Sequence, residues 1–186
     1  MSLATQAAAL LQNRASALLH FNLHGLAVNP VALRALARDI AGGKITVVHD
    51  RKSTAAHYDS VKNEISVPFK SVTHAQQGAA LLHEAIHALA DKKRIAMIIG
   101  KGEQIAYIAQ CLWIYYIYKA QIDAKTGYFN PYRSKVLSTA YDVSRPLQNT
   151  RAGTLKPAQL APLEAALRAT PRYKTAYDKM DFVNGL

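Results

Sequence analysis

Apolar residues in the first 41 positions recur every three or four residues, which is the spacing of amphipathic helices. A helix over about residues 4–20 would gather on one face Leu3, Ala7, Leu10, Leu11, Leu18 and Leu19. A second helix is predicted over residues 30–41, because Asn29 is a favourable N-cap and Pro30 suits the first helical position. Two glycines then end it, so the chain is expected to open with two helices.

The segment that follows has the composition and the shorter period of β-strands. Residues 44–49 are rich in β-branched side chains, and residues 55–59 are a second short candidate. Further on, Ile65 and Val67 alternate with Ser66, which predicts two inward side chains and one outward side chain. Together these runs predict a small β-meander of two or three strands.

The remainder of the chain has helical periodicity. A helix from about Glu103 to Asp123 is apolar on nearly every side, so it is expected to be the buried central helix. Shorter helices are predicted over residues 134–142, 157–168 and 172–182, after a turn at 130–133. The chain is therefore predicted to be one α+β domain over residues 1–186, mostly helical. N-terminal helices reach residue 43, strands and core helices occupy 44–125, and 126–186 form a helical wall beside a cleft.

One short motif carries recognisable chemistry. Residues 83–87 read HExxH inside an uninterrupted helical context, so His83 and His87 stand one turn apart on a single helix face. Two imidazoles so placed can bind one zinc ion, and Glu84 can hold and deprotonate a water on the metal. Thr73 and Gln76 fit a capping box at the start of this helix. The alternative is an ordinary helix with two core histidines and a surface glutamate.

A catalytic zinc site needs a third protein ligand. The metzincin pattern is excluded, because Ala90 and Lys93 stand where it requires glycine and histidine. Asp91 drifts about 80° around the helix from His83, which favours a supporting or solvent-facing acid over a ligand. Glu103 is the better candidate, since residues 95–102 at about 3.3 Å each can return the chain to the histidines. His83, His87 and Glu103 are therefore the predicted zinc ligands.

The string Glu-Gln-Ile-Ala-Tyr at residues 103–107 resembles the ExxAY segment of gluzincin-type (HExxH…E) metallopeptidases, including small bacterial effector-like or toxin-like domains. The resemblance spans residues 57–110. It implies a zincin-like fold, with the β-meander packed on the HExxH helix and a glutamate ligand on the next buried helix. It also implies that residues 64–67 form the edge strand along which a substrate lies. Ala106 stands where some gluzincins carry a carboxylate, which leaves open the group that orients the histidines.

These features predict a hydrolase, a zinc-dependent endopeptidase in which Glu84 activates the zinc-bound water and later protonates the leaving amine. A donor to the oxyanion is also needed. Tyr107 leads because it lies one turn after Glu103 on nearly the same face. Other candidates are Tyr141, His57, His74 and Arg133.

The net charge of +11 and the isoelectric point near 9.8 favour anionic partners, including acidic protein or peptide substrates. The basic residues are scattered, and no nucleic-acid-binding motif accompanies them, so no specific nucleic acid is predicted. Two alternatives to the peptidase stay open. One is a non-enzymatic basic module that binds nucleic acid or another polyanion, and the other is a catalytically inactive zincin-like interaction domain.

Three further features of the sequence bear on the cellular compartment of the protein: its cysteine content, its longest apolar segment and its first residues. A lone cysteine, Cys111, excludes an internal disulfide and is expected to be a buried thiol. Residues 95–118 approach membrane-spanning length, but Lys101 and Glu103 fall inside them, so no membrane insertion is expected. The first residues lack the features of a cleavable signal peptide. We expect a protein that is cytoplasmic when synthesised, which leaves room for export by a dedicated secretion system.

Overall fold

The computed structural model describes residues 1–124, 130, 132–181 and 183–185. Its α-helices are α1 (Leu3–Gln12), α2 (Pro30–Ala41), α3 (Ala75–Lys92), α4 (Ile99–Ile117), α5 (Lys119–Asp123), α6 (Lys135–Ser144), α7 (Pro157–Arg168) and α8 (Pro171–Lys174). Its strands are β1 (Phe21–Leu23), β2 (Leu26–Val28), β3 (Thr46–His49), β4 (His57–Asp59) and β5 (Glu64–Val67). The chain is α+β, with helices dominating two small sheets, as predicted.

The first helix is shorter than its apolar pattern indicates. It ends at Gln12, because Asn13 turns the chain and its side chain accepts a hydrogen bond from the backbone of Ser16 (2.9 Å). The rest of the predicted helix, to residue 20, contains a 3₁₀ turn (Ser16–Leu18), and the hairpin β1–β2 follows it. His24 and Gly25 both have positive φ, the conformation of a tight hairpin turn. Strands of three residues are too short for their alternation to be recognised in the sequence.

The strand order in the second sheet corrects the predicted meander. The order is β3–β5–β4, with β3 parallel and β4 antiparallel to β5. The segment 64–67 is therefore the central strand and not the edge, which is formed by β4 on the side of the cleft described below. Ser66 is buried together with Ile65 and Val67, so no face of β5 is left to water and the inward–outward alternation does not apply.

The capping box expected at Thr73 and Gln76 lies one residue too early. The N-cap of α3 is His74, whose side chain makes no capping hydrogen bond. Gln77 reaches back instead, and its oxygen accepts hydrogen bonds from the backbone N–H (2.8 Å) and hydroxyl (3.0 Å) of Thr73. Only one half of a capping box is therefore present, and its partner is the residue that precedes the N-cap.

At its other end, α3 stops in a tight reversal. Arg94 has φ 52°, and the backbone N–H groups of Arg94 and Ile95 donate to the carbonyls of Asp91 (2.8 Å) and Ala90 (3.0 Å). These two bonds are those of a Schellman motif, with arginine in the left-handed position that glycine usually takes. The reversal sends the chain back along α3, so that α4 packs against it.

Helix α4 begins at Ile99, four residues before the predicted start, and Gly100 and Gly102 lie inside its first turn. The backbone N–H groups of Ile99 and Gly100 donate to the carbonyls of Lys179 (2.8 Å) and Tyr177 (2.9 Å), which satisfies two free donors of the helix start. A side chain on Gly100 would lie 2.3 Å from the Tyr177 ring, so glycine is required there.

The prediction that α4 is a buried central helix is confirmed, since its residues are buried along most of its length between α3, α6 and α7. Cys111 is fully buried and its thiol contacts the carbonyl of Leu137 (3.5 Å), as expected for an inert core cysteine. No helix in the described part of the chain has the length and apolar character needed to cross a bilayer.

Helix α7 has the predicted bounds, whereas α8 ends at Lys174, far short of residue 182. The later residues of that predicted helix make separate backbone contacts with α4, which compete with a continuous helix. Residue 182 itself lies outside the described residues. So does Pro131, within the turn predicted at 130–133.

Candidate metal centre

Helices α3 and α4 run antiparallel and bring the three predicted ligands together. His83 Nε2 lies 3.2 Å from Glu103 Oε2, and His87 Nε2 lies 3.7 Å from Glu103 Oε1. The two histidine Nε2 atoms are 3.4 Å apart. The three side chains that were selected for their spacing in the sequence thus converge on one point between the helices.

The separations can be compared with what a metal ion requires. Imidazole and carboxylate ligands bind zinc at about 2.0–2.2 Å in a tetrahedron, which puts any two ligand atoms about 3.3–3.5 Å apart. The His83–His87 separation of 3.4 Å falls in this range, whereas the 3.2 and 3.7 Å separations reach two different oxygens of Glu103. With one ligand atom from each of His83, His87 and Glu103, all three atoms lie within 4.8 Å of one another, so the group could hold a metal ion.

Electrostatics gives a second reason for a cation at this point. His83 and Glu103 are only 7% and 5% exposed. Burial alone would raise the pKa of the Glu103 carboxyl, but the hydrogen bond from His83 and the nearby His87 and Tyr173 lower it to about 2. Burial would lower the pKa of His83, yet the hydrogen bond and charge of Glu103 outweigh it and raise that pKa. A buried carboxylate facing two imidazoles needs positive charge between them, supplied by protons or by a metal ion.

Gln110 fixes the orientation of His83, the point left open when the sequence showed alanine at position 106. Its side-chain oxygen accepts a hydrogen bond from His83 Nδ1 (3.1 Å), which leaves Nε2 directed at the other two ligands. A metal-binding histidine usually has such a partner on its second nitrogen. Gln110 was missed, although it lies seven residues after Glu103 and therefore on the same face of α4.

Two tyrosines support the glutamate. The hydroxyl of Tyr173 donates to Glu103 Oε2 (2.9 Å) and lies 3.3 Å from the hydroxyl of Tyr107. The ring of Tyr107 also meets the ring of His83 edge-on, with 4.5 Å between centroids. Burial raises the pKa of the Tyr107 hydroxyl, so it stays protonated and able to donate. Its role as the oxyanion donor stays a prediction, and Tyr173 was not identified in the sequence.

A cleft of about 150 Å³ opens beside the three ligands. Glu84, His87 and Glu103 lie in its wall, together with Arg172 at the start of α8. The general base inferred from the motif thus shares one cavity with two of the proposed ligands. Arg172 was not singled out in the sequence, where it is one of many scattered basic residues.

The structure places the other candidates for the oxyanion donor in different parts of the molecule. His57, on the edge strand β4, lines the cleft. His74 caps the far end of α3, and Tyr141 is buried beside Tyr132 with 6.0 Å between ring centroids. Arg133 is exposed ahead of α6. None of these last three lines the cleft.

Asp91 is not solvent-facing, as the sequence allowed, but 1% exposed. Its carboxylate accepts hydrogen bonds from the Tyr58 hydroxyl (2.7 Å) and from the backbone N–H groups of Asn184 (2.7 Å) and Gly185 (2.9 Å). It therefore joins β4, the last turn of α3 and residues 183–185 around one side of the cleft.

Comparisons with protein-family models, with curated proteins and with solved structures gave no match. The functional argument consequently depends on the geometry of the site.

Proposed function

We propose that the chain is a zinc-dependent endopeptidase with a zincin-like arrangement and the ligand set of a gluzincin. The observation that carries the proposal is the convergence of His83, His87 and Glu103, whose ligand atoms lie within 4.8 Å of one another, with Glu84 in the adjoining cleft. In the alternative of two ordinary core histidines, the buried Glu103 carboxylate would be stabilised only by its contacts with the histidines and Tyr173.

The donor set favours zinc among the possible metals. Two imidazoles and one carboxylate, with a further position left open, are the ligands of one common class of catalytic zinc site. Zinc bound there would supply a Lewis acid that polarises a carbonyl and makes water nucleophilic at neutral pH. Gln110 and Tyr173 would hold His83 and Glu103 in the binding orientation through the hydrogen bonds described above.

Glu84 is the residue that moves the proton. It follows His83 on α3 and therefore points to one side of the ligands, into the cleft, while its backbone stays fixed in the helix. From there its carboxylate takes a proton from the attacking water and returns it to the amine of the leaving peptide. Tyr107 is the nearby group that can donate to the developing negative charge.

The substrate would lie along β4. This strand is at the outside of its sheet, and His57 and Tyr58 on it line the cleft. An extended peptide can add to such an edge through backbone hydrogen bonds. The proposal thus moves the substrate edge from residues 64–67 to His57–Asp59.

The test is Glu84→Gln in zinc-loaded protein, assayed on a broad library of fluorogenic peptides. We expect the variant to keep its zinc and to lose at least about a thousandfold in kcat/KM, since it keeps the shape of Glu84 but removes the base. Glu164→Gln, the same change on the surface of α7, is the matched control and should retain full activity.

Two results count against this account. Equal activity of the two variants would show that Glu84 is not the base. Zinc-loaded wild-type protein that cleaves no member of the library would support a metal-binding interaction domain without peptidase activity.

A further inference from the structure

Arg172 occupies a distinctive position in this basic protein. It is the only lysine or arginine among the described residues that line the cleft, where its companions include Glu84, His87 and Glu103. The rest of the positive charge is elsewhere on the surface. Four carboxylates, those of Glu84, Asp91, Glu103 and Asp181, also line the cleft, whereas this guanidinium is its one fixed cationic side chain among the described residues.

The Arg172 side chain makes no ion pair within the described part of the chain, although the charges of Glu103 and Glu84 act on it. Its guanidinium carbon lies 5.4 Å from the centroid of the Tyr173 ring, the same tyrosine that donates to Glu103. No carboxylate of the described residues lies within ion-pair distance of Arg172. Arg168, one turn earlier, makes ion pairs with both Glu164 (2.9 Å) and Asp178 (2.7 Å). Of these two neighbouring arginines, only Arg172 keeps its hydrogen-bond donors for a ligand.

The dimensions and lining of the cleft suit one side chain. A cavity of about 150 Å³ is large enough for a benzene-sized group. Its walls include the apolar residues Ala90, Ile95 and Met97, which limit competition from water. A guanidinium recognises a carboxylate through two parallel hydrogen bonds, which gives both geometric specificity and strength.

We propose that Arg172 is a specificity-determining residue that binds a carboxylate of the substrate, the side chain of an aspartate or glutamate next to the scissile bond. This inference rests on the proposed peptidase function and specifies its substrate class. Because Arg172 is exposed at the mouth of the cleft, while the three ligands lie deeper, it contacts the neighbouring side chain and not the reacting carbonyl.

The experiment compares pairs of end-blocked peptides that differ only by glutamate or glutamine at each position around the cleaved bond. Zinc-loaded wild-type protein should prefer glutamate at one position by at least about tenfold in kcat/KM. Arg172→Gln should abolish that preference through KM, and Arg172→Lys should restore part of it. Lys174→Gln, which removes the same charge from the same short helix outside the cleft, should change nothing.

A loss in Arg172→Gln that is equal for glutamate and glutamine peptides and falls on kcat would overturn the proposal, because Arg172 would then act on the reaction itself. Peptides with a free or an amidated C-terminus separate the two sources of carboxylate. A preference that vanishes on amidation would assign recognition to the chain terminus and overturn the side-chain assignment.

A binding measurement keeps this inference distinct from the proposed catalysis. Calorimetry with zinc-loaded protein compares succinate with succinamate, which share one carboxylate and differ at the other. We expect wild-type protein to bind succinate at least about tenfold more tightly, and Arg172→Gln to bind both alike. If no peptide is cleaved but this difference is found, the peptidase fails and carboxylate recognition stands. If wild-type protein binds both alike, Arg172 recognises no carboxylate.

Discussion

The pair of helices α3 and α4 has two ends of opposite character. At one end, Gly78 faces Trp113 and Leu10 so closely that an added Cβ would lie 2.9 Å from both side chains. At the other end, His83, His87 and Glu103 meet with their polar atoms 3.2 to 3.7 Å apart. The first end is filled by apolar contact, whereas the second is an arrangement of charge beside an open cleft.

The comparison indicates that one end of the helix pair stabilises the fold, whereas the other end serves the proposed function. Apolar contact at the Trp113 end stabilises the fold under any condition, because burial of that surface needs no partner from solution. The polar end is satisfied by its own hydrogen bonds and protons when no metal is bound, at the cost of buried charge. Each end should therefore respond to mutation without changing the other.

Trp113→Ala should have the largest effect. The side chain is 4% exposed, and its indole donates to Ser16 Oγ (3.1 Å). We expect a loss of about 4 kcal/mol in the free energy of unfolding, measured by urea denaturation. Trp113→Phe should lose less, since it keeps most of the volume. If the folded Trp113→Ala protein binds zinc with altered affinity, the two ends are not independent.

Zinc should stabilise the protein through the polar end alone. At a free zinc concentration about 100 times the dissociation constant, the free energy of unfolding should rise by about 2.7 kcal/mol, and a chelator should reverse the change. The free energy of unfolding of His83→Ala should not change when zinc is added. The same zinc-dependent shift in this variant would place the metal elsewhere on the protein.

The two glutamines of α4, Gln104 buried and Gln110 half-buried, form a pair for a smaller effect. Gln110→Ala removes the acceptor of His83 Nδ1 and should weaken zinc binding about 10- to 100-fold. Gln104, which bonds His24 (2.7 Å) and Tyr177 (2.8 Å) on another face, is the control. Gln104→Ala should destabilise the fold but leave zinc affinity unchanged. Competition with a chromophoric chelator measures the zinc affinity of both variants. Equal losses of affinity would show that Gln110 does not orient His83.

Glu84→Gln should have the smallest effect on stability. Glu84 lies among charges of both signs, with Glu103 in the same cleft and with the opposite charges of His83 and Arg172 acting on it. Because glutamine keeps the shape of this buried side chain, the free energy of unfolding of the metal-free protein should change by less than about 1 kcal/mol. A larger loss by thermal denaturation would mean that Glu84 also serves the fold.

The three proposed ligands could be selected from the sequence because their spacing along the helices determines where their side chains lie. Residues four apart on a helix must share a face, and a short reversal after α3 can return Glu103 to that face. Helices with strong periodicity, such as α2 and α7, were also predicted with their observed bounds. Local sequence determines these features almost completely.

Features that depend on distant parts of the chain could not be predicted in this way. The central position of β5 depends on pairing with β3 and β4, which the alternation of Ile65 and Val67 does not encode. Tyr173 and Arg172 reach the site only because α8 packs against α4, some 70 residues after Glu103. Gln110 could have been recognised, since Glu103, Tyr107 and Gln110 follow one helical stripe.

The most direct test of the metal centre is the zinc content of purified protein, measured by elemental analysis after zinc loading and removal of free metal. We predict about one zinc per wild-type chain and a large loss in Glu103→Ala, because only three protein ligands hold the ion. Wild-type protein without zinc, or a Glu103→Ala variant that retains as much as wild type, would contradict the assignment of His83, His87 and Glu103 as its ligands.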